Sequence, residues 1–234
     1  MSILIRTGSF FMLRLRLIVA VSLLSASVAY AEDSDQSLLV YAVSINRSAD
    51  SRWGTGIFLG KGLILTASHV VGRNPFNRPK VTIAGQDLPA IVLKQGTFAR
   101  SDLALLKIDE ETLPTGLRLR RISLCKAPPW PGEDVVTVIP EEAVHSHVMS
   151  PKELPLEARS FSTIISDVAR TGNSGSGVFD STKKCLLGIM SRKITETRTV
   201  ADSGEKQSYD LAKYFVPASA IVEFLPADVN LSWQ

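Results

Sequence analysis

The sequence predicts an all-β protein of two six-stranded antiparallel β-barrels with a short C-terminal helix. Three observations carry this. Short β-type runs separated by turn residues recur along the chain. They fall into two sets of about six, divided by a polar, Pro-bearing connection from Glu110 to Arg121. Only Ala218 to Leu225, after Pro217 and closed by Pro226, reads as helix.

The first set runs Leu38–Ile45, Gly56–Leu59, Leu63–Thr66, Lys80–Ile83, Leu88–Lys94 and Leu103–Ile108. Gly60-Lys61-Gly62 between the second and third reads as a hairpin turn. The second set runs Val135–Ile139, Val144–Met149, Phe161–Ile165, Gly177–Phe179, Leu186–Ser191 and Tyr214–Val216. Arg198 to Tyr209 reads as a polar, charged loop beside the cleft. The first barrel is therefore placed at about 38–109, the linker at about 110–121, the second barrel at about 122–217 and the helix at about 218–225.

Composition sets the outer bounds. The chain has 234 residues, 45% of them hydrophobic and 21% charged, with a formal charge of +3. Gross disorder, collagen-like repeats, a disulfide-dense mini-protein and a polytopic membrane protein are excluded. Residues 1–31 read as a signal peptide. Arg14 and Arg16 precede the apolar run Leu17–Leu24, and Ala29-Tyr30-Ala31 ends in the small-x-small pattern of a cleavage site before Glu32-Asp33. The apolar core is shorter than the roughly 20 residues a spanning helix needs. Cleavage would leave 203 of the 234 residues. It would remove Arg6, Arg14 and Arg16 from the 26 basic residues, leaving 23 against 23 acids. The basic character thus belongs to the export segment, and no nucleic-acid surface or stable membrane insertion of the mature chain is expected. Export to the periplasm or the outside also makes a Cys125–Cys185 disulfide the favoured state of the two cysteines, two separate buried thiols being the alternative.

Three segments fit one chemistry. Thr66-Ala67-Ser68-His69 delivers a His at the end of a strand. Ser101-Asp102-Leu103-Ala104-Leu105-Leu106 places an Asp at the mouth of an apolar strand. Gly172-Asn173-Ser174-Gly175 displays a Ser on a Gly-rich turn. Each alone reads as ordinary structure. Together they supply what acyl transfer by a hydroxyl requires: a nucleophile, a base near neutral pH, an acid that fixes the base, and backbone donors for an oxyanion. His145 and His147 share one strand face, but no further ligand sits at matching spacing. Neither a metal nor a cofactor is expected.

In these elements and their order the sequence resembles the trypsin/chymotrypsin-like serine peptidases, over about Leu38 to Leu225. The resemblance implies a chymotrypsin-like double barrel. It implies Ser174 as nucleophile, His69 as general base then acid, and Asp102 as the orienting carboxylate. The N–H groups of Gly172 and Ser174 would form the oxyanion hole, and Ser191 would hydrogen-bond Asp102. Ser176 is a weaker nucleophile candidate. Gly-Asn-Ser-Gly is most similar to the bacterial HtrA/Deg and glutamyl endopeptidase types, without room for a PDZ domain. Asn173 stands where digestive members carry the Asp that pairs with a freed N-terminus. Val168 and Ala169 fall at the primary pocket and suggest a small or apolar one. Arg192 and Lys193 follow on the pocket wall and would favour acidic side chains or point to solvent. The reading is a secreted serine endopeptidase acting on peptides or unfolded proteins. The alternative is a non-catalytic peptide-binding protein on the same fold. Oligomeric state is left open.

Overall fold

The computed structural model describes residues 35–46, 53–73, 78–166, 173–199 and 204–234. The expected signal segment 1–31 and the residues Val168, Ala169 and Gly172 lie outside these ranges. Residues 38–234 form one compact unit.

The first sheet contains β1 (Ala42–Asn46), β2 (Trp53–Gly60), β3 (Leu63–Thr66), β4 (Lys80–Ile83), β5 (Gln86–Pro89), β6 (Ile91–Gln95) and β7 (Ala104–Lys107), in the order β5-β4-β1-β2-β3-β7-β6. Its two edges, β5 and β6, are consecutive in the chain, with only Ala90 between them. The run read from the sequence as a single strand is thus bent into two. Pro89 ends one half, because proline has no N–H to extend a ladder. The Ala90 N–H turns instead to the Pro79 carbonyl at 2.9 Å. Counted as one bent strand, residues 86–95 join both edges, and the sheet corresponds to the six expected strands.

The second sheet contains β8 (Ser123–Leu124), β9 (Asp134–Ile139), β10 (Glu142–Met149), β11 (Ile164–Ile165), β12 (Gly177–Asp180), β13 (Leu186–Thr199), β14 (Lys206–Pro217) and β15 (Ser232–Trp233). The order β12-β9-β10-β11-β14-β13, with β12 also paired to β13, closes a six-stranded barrel. β8 and β15 add on outside as a parallel pair. Arg198–Tyr209 departs from the loop reading. β13 runs to Thr199 and β14 resumes at Lys206, with the ladder continuous from Thr195↔Asp210 to Thr199↔Lys206. Both faces of this extension are largely exposed and polar, so no apolar alternation marked it.

Among the described residues helices are few: residues 35–39, so that the first strand begins at Ala42 rather than at Leu38 as expected, α1 (Ser68–Val71), α2 (Thr115–Arg118) within the linker, and α3 (Ala218–Phe224), which matches the predicted helix. Among the described residues no helix is long and apolar enough to cross a membrane.

Strand alternation explains the core. Phe58, Ile64 and Leu106 point into the first barrel with Val43, Ile45 and Val81. Their neighbours Ile57, Leu59, Leu65 and Leu105 point out, against Val136, Val138, Phe179 and Ile189 of the second barrel. β2, β3 and β7 are therefore apolar on both faces, which is why they read as continuous apolar runs. Inside the second barrel Val135, Val148, Val178 and Phe215 pack around a Cys125–Cys185 disulfide.

Candidate active site between the two barrels

His69 sits where β3 gives way to a single helical turn. Ala67 is still extended, Ser68 opens α1, and Gly72 ends it at φ 78°. Ser68 Oγ donates to the Gly96 carbonyl at 2.6 Å, and Gln95 Nε2 donates to the Gly72 carbonyl at 2.7 Å. The turn is thus fastened to the neck of the 96–101 loop. That loop ends at Asp102, just before β7.

Asp102 is 1% exposed and meets three donors. The His69 backbone N–H reaches Oδ1 at 3.1 Å. His69 Nδ1 lies 2.8 Å from Oδ2, and Ser191 Oγ donates to the same oxygen at 2.6 Å. Burial pushes the Asp102 carboxyl up, but the bonds from His69 and Ser191 together outweigh it and hold the group below its ordinary value. An ionised Asp102 takes the Nδ1 proton as its hydrogen-bond donor. That tautomer leaves the lone pair on Nε2, in a side chain that is 34% exposed.

Ser174 lies on the turn before β12. Its carbonyl accepts from the Thr55 N–H at 2.9 Å and from Thr55 Oγ1 at 3.0 Å. Gly175 follows at φ 89°, and its N–H donates to the Met190 carbonyl at 2.8 Å. Thr66 Oγ1 donates to the Thr55 carbonyl at 2.6 Å, beneath Gly175. Strands of both barrels therefore hold the turn: β2 and β3 from one side and β13 from the other. Met190 adjoins Ser191, so one strand touches both the Ser174 turn and the Asp102 carboxylate. No hydrogen bond joins Ser174 Oγ to His69, and nucleophile–base pairs of this kind are often longer at rest than during reaction. Ser176 is fully buried, with its hydroxyl donating to the Asn173 carbonyl at 2.6 Å. That arrangement suits a structural hydroxyl rather than a nucleophile.

The two cations after Ser191 behave differently. Lys193 Nζ pairs with Asp210 Oδ2 at 2.6 Å across the hairpin. The Arg192 guanidinium stacks 4.0 Å from the Phe98 ring centroid, and Nη2 donates to the Phe98 carbonyl. Phe98 in turn meets the His69 ring edge-on at 5.6 Å. Phe98 and Thr55 escaped the sequence reading, since neither belongs to a motif and each acts through a contact between distant segments; Thr66 stands in the His69 motif, but its bond to the Thr55 carbonyl was not read from it. His145 and His147 are exposed on β10. Among the described residues the one group of three potential metal ligands is Asp180 with the two disulfide-bonded cysteines, whose sulfurs are already used.

Residues 54–189, more than half of the chain, match the family model described as a trypsin-like peptidase domain. No curated protein matches the chain. Among solved structures, the chain is similar to the inactive form of the Rv3671c protease from M. tuberculosis, at 16% identity and a TM-score of 0.58, over 83% of this chain and 91% of that one. It is also similar to Deg5, at 19% identity and a TM-score of 0.54, over 80% and 88% of the two chains. A serine endoprotease from Yersinia pestis aligns at 20% identity and a TM-score of 0.55, over 80% of this chain and 61% of that one. At these identities the likeness is one of fold.

Proposed function

The chain belongs to the trypsin-like peptidase family, and on that premise we propose that it is an exported serine endopeptidase working through His69, Asp102 and Ser174. In the reaction, His69 Nε2 takes the Ser174 hydroxyl proton as Oγ attacks the scissile carbonyl. The imidazolium that forms faces the Asp102 carboxylate, which stabilises it. The N–H groups of Gly172 and Ser174 stabilise the oxyanion. Collapse breaks the C–N bond, the amine leaves with the proton from His69, and an acyl-enzyme remains. Water, deprotonated by the same imidazole, releases the acid and restores Ser174.

The observation that supports this reading most is the state of Asp102. A carboxylate 1% exposed carries three donors, two of them from His69. Burying an ionised carboxyl so completely is costly unless its charge is used. Here it would fix one tautomer of a partly exposed imidazole.

Substrates would be peptides or unfolded segments, lying as an added strand beside Ser191. Val168 and Ala169 would make the primary pocket small and apolar, which favours an aliphatic residue before the scissile bond. Residues 1–31 would direct export and be removed. The test is hydrolysis by the purified mature protein of casein and of a small ester, with Ser174→Ala beside it. The reading expects casein cleavage and a fall of about 10⁶-fold in kcat for the variant. Ester turnover without casein cleavage would replace the endopeptidase by an esterase. Equal hydrolysis by the variant would remove Ser174 from the mechanism.

A further inference from the structure

We propose that Arg192 is a specificity-determining residue whose guanidinium receives an acidic side chain of the peptide substrate. This rests on the peptidase reading above and names a substrate class for the same cleft.

Position comes first. Arg192 follows Ser191 on β13, and Ser191 is bonded to Asp102. The guanidinium carbon lies 4.0 Å from the Phe98 ring centroid and 5.8 Å from those of Phe161 and Tyr214. Phe98 touches His69 edge-on. The cation is therefore one aromatic ring away from the imidazole that would act as base.

Its charge is unanswered by any carboxylate of the described residues. Two other cations of the same strand have one: Lys193 pairs with Asp210 and Arg198 with Glu196, each at 2.6 Å. Arg192 has no carboxylate partner among the described residues. Its protein contacts are the aromatic faces and the Phe98 carbonyl, which accepts one Nη2 proton. Nε is buried with no acceptor. Ring faces attract a cation without neutralising it. They also hold the planar group in one orientation and exclude water from one side. That lowers the ordering needed on binding and strengthens its pull on an anion. A fixed guanidinium with unused N–H groups suits a carboxylate, which it can hold with two parallel bonds. The residue is half-buried, so part of it stays open to solvent. Lys193, held by Asp210, lacks this freedom, which separates two cations the sequence treats alike.

The experiment profiles the mature protein with a peptide library. It then compares fluorogenic peptides that differ only by Glu or Gln at the position most selected. Wild type is expected to prefer Glu by about tenfold in kcat/KM, the order of a charge-assisted bond, with the ratio shrinking as salt rises. Arg192→Gln should bring the ratio to about one. Arg192→Glu should invert it toward a Lys peptide, and Arg192→Lys should keep part of it, because charge remains while stacking is lost. A wild-type ratio near one at every position, or an Arg192→Gln variant with the wild-type ratio, overturns the proposal and leaves Arg192 as a clamp on Phe98. Fluorophosphonate labelling of the same wild-type preparation separates the two levels. Labelling with a flat ratio sinks this inference alone. Absence of labelling sinks the peptidase reading and this inference with it.

Discussion

Gly175→Ala is the perturbation whose consequence the structure fixes most tightly. At φ 89° an alanine is strained by roughly 1 kcal/mol before any contact is considered. Its Cβ would also stand 2.0 Å from the Thr55 carbonyl oxygen and 2.3 Å from Thr66 Oγ1. Relief requires a shift of more than about 1 Å, since ordinary van der Waals contacts are about 3.5 Å. Neither neighbour yields easily: the Thr55 carbonyl is part of β2 and already accepts from Thr66 Oγ1. The turn must move instead, weakening the bonds from Thr55 to the Ser174 carbonyl and from Gly175 to Met190. A stability loss of about 2–4 kcal/mol follows from strain and overpacking together. Displacing a nucleophile by about 1 Å costs on the order of 100-fold in rate. Urea unfolding and peptide hydrolysis on the same preparation measure both. Gly116→Ala is the control, because its Cβ meets nothing within 4 Å; it should change stability by less than about 1 kcal/mol. A Gly175→Ala protein with wild-type midpoint and wild-type turnover would refute the account of how the Ser174 turn is held.

Ser191→Ala removes a 2.6 Å bond to a buried carboxylate and should lower stability by about 1.5–3 kcal/mol at neutral pH. The folded-state pKa of Asp102 lies below the unfolded value of 3.8, so its contribution is full above that value and disappears as pH falls through the folded one. The gap between wild type and variant should therefore narrow in acid, and a pH-independent gap in urea midpoints would contradict the assigned bond. Replacing Cys125 and Cys185 together by Ala opens a loop with a sequence separation of 60 and should cost about 4 kcal/mol on the chain-entropy model. Urea unfolding with and without reductant tests this, and a reductant-insensitive wild type would speak against the disulfide's role.

Much of the site was legible because its residues stand at the ends of strongly apolar strands. Leu63–Thr66 and Leu103–Ile108 announce themselves by composition, and His69 and Asp102 sit at their mouths. Ser191 was reached only through the family resemblance, since nothing around it marks a hydroxyl destined for a buried carboxylate. The extended β13–β14 hairpin was missed because residues 195–199 and 206–210 are polar on both faces, and a ribbon with no buried face leaves no period of two. β8 and β15, two residues each, are too short for any pattern. The bend at Pro89 was visible as a residue, but its use in linking the two edges of a sheet depends on non-local pairing. The Arg192–Phe98 stack joins the 96–101 loop to the second barrel, and local sequence carries no signal for such a contact.

The measurement that tests the central claim most directly is the site of covalent modification by a fluorophosphonate. The purified mature protein is reacted, digested and mapped by mass. The account predicts a single adduct on Ser174, lost in Ser174→Ala and in His69→Ala, with Ser176 unmodified because its hydroxyl is buried and donates to Asn173. No adduct on the folded wild type, or an adduct on Ser176, would contradict it.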